Sequence, residues 1–153
     1  MTHQHVEDSR CIVMAEIMTP DMANFHGNVH GGHILKLLDG VAYACASRYS
    51  GKYIVTLSVD QVIFKEPIHV GELVSFYASV NYVGNTSMEI GIRVVAENLT
   101  TQKQRHTNTC YFTMVALDEK GKPTKVIPLE LNTETEKRRY QEALLRREKR
   151  KLK

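Results

Sequence analysis

At 153 residues, with 42% hydrophobic and 24% charged side chains, the chain is sized for one domain with a real core and is neither a disordered nor a fibrous type. The polar first ten residues lack the apolar stretch of a signal peptide, and no apolar run reaches the roughly 20 residues of a membrane span, so a cytoplasmic protein is expected. The net charge of +3 belongs to the tail: residues 133–153 hold nine Lys/Arg against four Glu, a balance of +5 that leaves −2 for residues 1–132, so the body carries no nucleic-acid footprint.

Cys11–Met18 reads as a first strand, and Pro20, Gly27 and Asn28 then break any periodicity. From about Gly32 to Ser50 the pattern is helical: Ile34, Leu38, Val41 and Cys45 form a stripe that Leu35, Ala42 and Ala46 widen. Few positions are strongly polar, which predicts a largely buried helix, with Gly40 and the alanines letting a sheet approach closely.

Four strands are predicted next. In Tyr53–Phe64, Val55, Leu57 and Val59 alternate with polar residues; Glu72–Val83 puts Val74, Phe76 and Ala78 on one face. Thr86–Glu97 aligns Met88, Ile90 and Ile92, and Arg105–Leu117 aligns Cys110, Phe112 and Met114. Val83-Gly84-Asn85-Thr86 is a tight hairpin between two of them.

The order of strand, buried helix and four antiparallel strands requires a sheet curled around the helix. That is an α+β architecture, the hot-dog fold, over residues 1–132. Residues 133–153 open on Thr and Glu and close on Lys and Arg, as a helix dipole favours, and form a basic helical extension. Its apolar stripe of Tyr140, Ala143, Leu144 and Leu145 is thin. It reads as a solvated helix, at most docked on a neighbouring subunit, and not as a membrane binder. The three cysteines, Cys11, Cys45 and Cys110, sit in apolar segments without C-x-x-C spacing, so buried free thiols are expected in place of disulfides or zinc.

The chemistry concentrates in PDMANFHGNVHGG, residues 20–32, followed by a helix containing Asp39. The pattern N-x-x-G-N-x-x-G-G, with Asp fifteen residues after the first Asn, is met by Asn24, Gly27, Asn28, Gly31, Gly32 and Asp39. With V-T-L-S-V-D-Q-V-I-F, S-M-E-I and the Thr-Glu-Thr-Glu-Lys-Arg tail, the chain resembles the hot-dog acyl-CoA thioesterases over nearly its whole length. These include the vertebrate brain-type cytosolic acyl-CoA hydrolases and their bacterial relatives. The resemblance implies that Asp39 is the catalytic acidic residue and that Asn24 orients the water or the thioester carbonyl. His30, Gly31 and Gly32 would form the oxyanion and substrate loop. Elementary chemistry agrees: a base must activate water, and the free N–H groups of a helix start suit an oxyanion.

Plainer readings exist for each residue. Asp39 has Lys36 three positions away as an ion-pair partner, and Asn24 and Asn28 are turn or cap residues by type, which for Asn28 is the better reading. His26, His30 and His33 lack an H-E-x-x-H frame and an acidic third ligand, so no metal is expected. No Rossmann, Walker A or G-x-S-x-G pattern is present.

Asp39 falls about two turns into its helix, roughly 10 Å from the start at 1.5 Å per residue. It is poorly placed to serve its own helix N-terminus, so a two-fold dimer sharing Asn24 of one chain and Asp39 of the other is expected. The resemblance implies a trimer of such dimers, an acyl-CoA substrate, no separate cofactor and CoA phosphates near Gly84, Asn85, Thr86 and Ser87. Arg93 points away from the core, onto an outer face shared with Glu89, Val95 and Glu97, and is a candidate contact for an anion or nucleotide there. Neither nucleic acid nor a membrane is an expected partner. The alternative from another class is a hot-dog module that senses acyl-CoA without hydrolysing it, which needs no Asn24–Asp39 pair.

Overall fold

The computed structural model describes residues 9–60 and 62–152. The polar start at residues 1–8, Gln61 in the second predicted strand and Lys153 in the tail lie outside them. The elements are β1 (Cys11–Ile17), α1 (Gly31–Ser50), β2 (Tyr53–Asp60), β3 (Leu73–Val83), β4 (Ser87–Asn98), β5 (Lys103–Leu117) and α2 (Glu134–Lys151), with a single 3-10 turn at Pro20–Met22. The strands form one antiparallel sheet in the order β1-β3-β4-β5-β2. β1 and β2 are therefore opposite edges, and α1, which joins them, must cross the sheet face. It touches all five strands.

His30 caps α1 at its start, accepting the Gly32 N–H on Nδ1 at 2.9 Å, and Gly51 ends it in the left-handed region at φ 66°. Ile34, Leu38, Val41, Ala42, Cys45 and Ala46 are buried against the sheet. They meet Phe76, Ile90, Ile92, Phe112 and Met114 in one core. Leu38 is fully buried, and truncating such a leucine to alanine costs roughly 2–5 kcal/mol.

Several expectations are corrected here. α1 is not buried all round: Leu35, Lys36, Asp39, Gly40 and Tyr43 form an exposed stripe along it. Gly40 lies on that stripe, with nothing within 4 Å of where a Cβ would stand, so it serves no close sheet contact. In β2 Ile54 is the buried residue and Thr56, on the same side of the strand, is exposed, while Leu57 is 68% exposed. A register shift between Thr56 and Ser58 resets the alternation, and Val59 comes opposite Phe112 only beyond it. Cys11 is exposed, while Cys45 and Cys110 are buried as free thiols.

α2 is not a free solvated helix either. It lies on the outer face of its own sheet, with Ala143 buried and the Tyr140 ring 5.1 Å from that of Tyr82. Arg146 clamps Glu89 through both carboxylate oxygens, at 2.6 and 3.0 Å, and stacks 3.5 Å over the Tyr111 ring. Arg150 pairs with Asp60 at 2.7 Å. Glu89 is 2% exposed and Val95 is buried, so these two are not open on the outer face as the strand alternation suggested.

Candidate active site

After the 3-10 turn the chain folds back on itself around Asn24. The Asn24 Oδ1 accepts from the N–H groups of His26 (2.9 Å) and Asn28 (3.2 Å), while its own N–H donates to the Asn28 carbonyl at 2.7 Å. Gly27 turns the loop at φ 81°. Asn24 is thus a turn residue, the role the sequence favoured for Asn28. Its acceptor oxygen is occupied within the loop, while none of the described residues accepts from its Nδ2.

Asn28 ties this loop to the neighbouring segment. Its Oδ1 lies 3.1 Å from His69 Nδ1, and the Val29 N–H donates to the Ile68 carbonyl at 2.8 Å. That segment is fixed in turn by Glu72, which is buried, accepts the His69 N–H and binds Arg105 at 2.6 Å. The Glu72 contact chiefly, with Glu66 beside it, holds the Arg105 pKa above its ordinary value.

At the start of α1, His30 holds the Gly32 N–H, while no acceptor among the described residues takes the Gly31 N–H. A Cβ on Gly32 would come within 3.1 Å of His30 Nδ1, and one on Gly31 within 3.4 Å of the Phe64 ring. A side chain at Gly32 would crowd the capping imidazole, whereas one at Gly31 would meet the Phe64 ring at nearly ordinary contact. Among the described residues no group of three His, Cys, Asp or Glu could hold a metal ion.

Asp39 stands on the exposed stripe of α1. Its Oδ1 accepts a 2.6 Å hydrogen bond from the Thr56 hydroxyl of β2. No ion pair to Lys36 is present among the described residues. Thr56 escaped the sequence reading because the alternation placed it on the other face of β2. A lone hydroxyl between apolar neighbours was its only signal.

No hydrogen bond joins Asn24 or Gly31 to Asp39 within the chain, consistent with a separation of roughly 10 Å along the helix. The hairpin at Gly84–Ser87 closes through Gly84 N–H to the Ser87 carbonyl at 2.8 Å, while the Asn85 and Thr86 carbonyls hold Val126 and Ala116. Arg93 is exposed on the outer face and lines a cavity of about 230 Å³ together with Arg138, Arg139 and Arg146 of α2.

Residues 26–103 match the Thioesterase superfamily. Protein VdlD of Helicobacter pylori is 54% identical over 143 residues, which span 94% of this chain and 82% of VdlD. The crystal structure of an apo-hexameric acyl-CoA thioesterase superposes with a TM-score of 0.90 at 38% identity, covering 95% of this chain and 93% of that one. The acyl-CoA hydrolase of Staphylococcus aureus, solved with butyryl coenzyme A, coenzyme A and coenzyme A disulfide, superposes with a TM-score of 0.86 at 31% identity, covering 93% and 87%. That hydrolase has also been solved with an asparagine, an aspartate or a threonine replaced by alanine, at positions spaced fifteen and seventeen apart. Asn24, Asp39 and Thr56 have the same spacing here. The chain belongs to the thioesterase superfamily, among its hot-dog acyl-CoA thioester hydrolases.

Proposed function

We propose that the protein hydrolyses acyl-CoA to a free fatty acid and CoA in a site shared by two protomers. The observation that carries this reading is the Thr56–Asp39 hydrogen bond of 2.6 Å. It fixes one carboxylate oxygen and leaves the other for water, on a helix face that a second chain must cover. The spacing of the three residues altered in the S. aureus hydrolase supports the same set. A module that merely sensed acyl-CoA would need no such oriented carboxylate.

In this reading the Asn24 Nδ2 and the Gly31 N–H of one protomer donate to the thioester carbonyl oxygen. Asp39 of the partner takes a proton from water as the water oxygen bonds to the carbonyl carbon. The tetrahedral oxyanion collapses, the carbon–sulfur bond breaks, and the CoA thiolate recovers the proton from Asp39. Direct attack by the Asp39 carboxylate, with water then opening the anhydride, balances equally well. His30 lines the loop and governs whether the Gly32 N–H joins the oxyanion hole. Gly84, Asn85, Thr86 and Ser87 would contact CoA, and Arg93 an anionic group on the outer face.

No cofactor is required, because CoA is part of the substrate. A homo-oligomer built as a trimer of dimers, a cytoplasmic location and a catalytic body at residues 1–132 with an extension at 133–153 complete the proposal. Among the described residues no helix is long and apolar enough to cross a membrane.

The test is thiol release from short-, medium- and long-chain acyl-CoAs. Turnover by the wild type, abolished in Asp39→Asn, is the expected result. A wild type that binds acyl-CoA but releases no thiol from any of them would return the sensing module to first place.

A further inference from the structure

A chain of hydrogen bonds runs from Asn24 to the segment that precedes β3, and the mechanism above makes no use of it. Asn28 grips Asn24 twice: its N–H donates to the Asn24 Oδ1 at 3.2 Å, and its carbonyl accepts the Asn24 N–H at 2.7 Å. The His26 N–H reaches the same oxygen at 2.9 Å. Two donors on one oxygen set the plane of the Asn24 amide, and with it the direction of Nδ2. Asn28 is held in turn by His69, through an antiparallel bridge and a 3.1 Å contact between Oδ1 and the ring Nδ1. With an amide oxygen facing the ring, Nδ1 is the donor.

The backbone of His69 is anchored on every side. In the turn from His69 to Glu72, Gly71 takes φ 90° and the Glu72 N–H donates to the His69 carbonyl at 3.1 Å. The buried Glu72 carboxylate accepts the His69 N–H at 2.8 Å and is compensated by Arg105 at 2.6 Å. Met18, at the end of β1, clamps the turn twice: its N–H donates to the Glu72 carbonyl and its carbonyl accepts the Gly71 N–H, at 2.9 and 2.8 Å. The His69 side chain itself is exposed. An exposed ring on so firm a backbone adds little to the core, yet it is aimed at the loop that carries Asn24.

We propose that His69 is a positioning residue for the hydrolysis: its Nδ1–H holds Asn28, and through Asn28 it aims the Asn24 amide at the thioester oxygen. This role rests on the acyl-CoA reading, in which Asn24 donates to the oxyanion. His69 transfers no proton and acts only through Asn28. Donors to an oxyanion work best when nothing has to reorganise as the charge develops, and a misplacement of about 1 Å can cost 10²-fold. One surface hydrogen bond that limits such a shift is worth less, about tenfold. An interaction that strengthens only as the oxyanion forms is read in kcat and spares KM.

An asparagine side chain can place its Nδ2 where Nδ1 of a histidine stands, whereas glutamine reaches toward Nε2 and alanine offers no donor. The experiment therefore compares the full chain with His69→Asn, His69→Gln and His69→Ala. It measures kcat and KM by thiol release from the acyl-CoA that the wild type turns over fastest, together with melting temperatures. His69→Ala and His69→Gln should lower kcat about tenfold, with KM and melting temperature near those of the wild type, and His69→Asn should recover most of the loss. In Asn24→Asp, which keeps the loop's acceptor oxygen but has no amide to aim, adding His69→Ala should leave the residual kcat unchanged. Wild-type kcat in His69→Ala overturns the positioning role and leaves the hydrolase reading standing. So does an equal tenfold loss in the Asn24→Asp background, or a fall in melting temperature common to all three variants without rescue by asparagine. A wild type that releases no thiol from any acyl-CoA overturns both readings together.

Discussion

At the scale of single residues, the proposed mechanism asks for a carboxylate that is oriented and an amide that donates. Thr56 does the orienting, so Asp39→Asn should lower kcat by roughly 10²-fold or more. Thr56→Val should lower it by about tenfold, with both proteins folded as judged by circular dichroism. Wild-type turnover in Asp39→Asn would remove it from the mechanism. Asn24 has two jobs that a substitution can separate. Asn24→Asp keeps an oxygen for the His26 and Asn28 N–H groups but loses the outward donor. Its kcat should fall by roughly 10²–10³-fold while its melting temperature stays near that of the wild type. A large loss of stability in Asn24→Asp would instead make the residue a loop fastener alone. The buried thiols give a pH signature. Burial pushes Cys45 and Cys110 up to about 12, from 9.0. The unfolded chain therefore ionises first, and stability complete below pH 9 declines as pH rises toward 12. Melting curves across alkaline pH should show this decline, and it should shrink in Cys45→Ala/Cys110→Ala.

At the scale of elements, hydrophobic period carried the reading a long way. The order of strands, the long helix and the final helix follow from where the period changes from 2 to 3.6, and their observed ends differ by a few residues. The face of β2 did not follow, because Val55/Leu57 and Ile54/Thr56 are both alternating sets and a bulge resets the count. The docking of α2 did not follow because arginines do the work that an apolar stripe usually does, their stems covering the sheet and their guanidinium groups pairing with acids. A spaced motif singled out Asn24 and Asp39 as candidates, whereas the Thr56 hydroxyl on Asp39 and the capping role of His30 depend on side-chain rotamers that no spacing encodes. The α2 clamp has a measurable consequence. Burial opposes the charge on Arg146, but Glu89 outweighs it and raises the arginine pKa, so the pair stays ionised. Arg146→Ala strands a carboxylate that is 2% exposed and should cost roughly 3–5 kcal/mol in urea unfolding. Adding Glu89→Gln should recover part of that loss. An additive double mutant would show that the two side chains do not act as a pair.

At the scale of the whole molecule, the chain carries both halves of the proposed site but does not join them. The Asn24 loop and the free Gly31 N–H lie at one end of α1, and Asp39 lies two turns along the same helix on an exposed stripe with Leu35 and Tyr43. Exposed apolar side chains beside a carboxylate are what a self-complementary interface supplies and covers. In a two-fold dimer the start of one helix would meet the middle of the other, so each dimer would hold two composite sites. Mixing therefore has a definite outcome. Asn24→Ala chains and Asp39→Ala chains should each be inactive alone. Refolded together, they should form heterodimers with one intact site and one site lacking both groups, and random pairing would restore about a quarter of wild-type activity per chain. Sedimentation of the mixture, run alongside thiol release, confirms that the chains have assembled. If Asn24 and Asp39 acted within one chain, every heterodimer would carry two damaged sites, and an assembled but inactive mixture would show it.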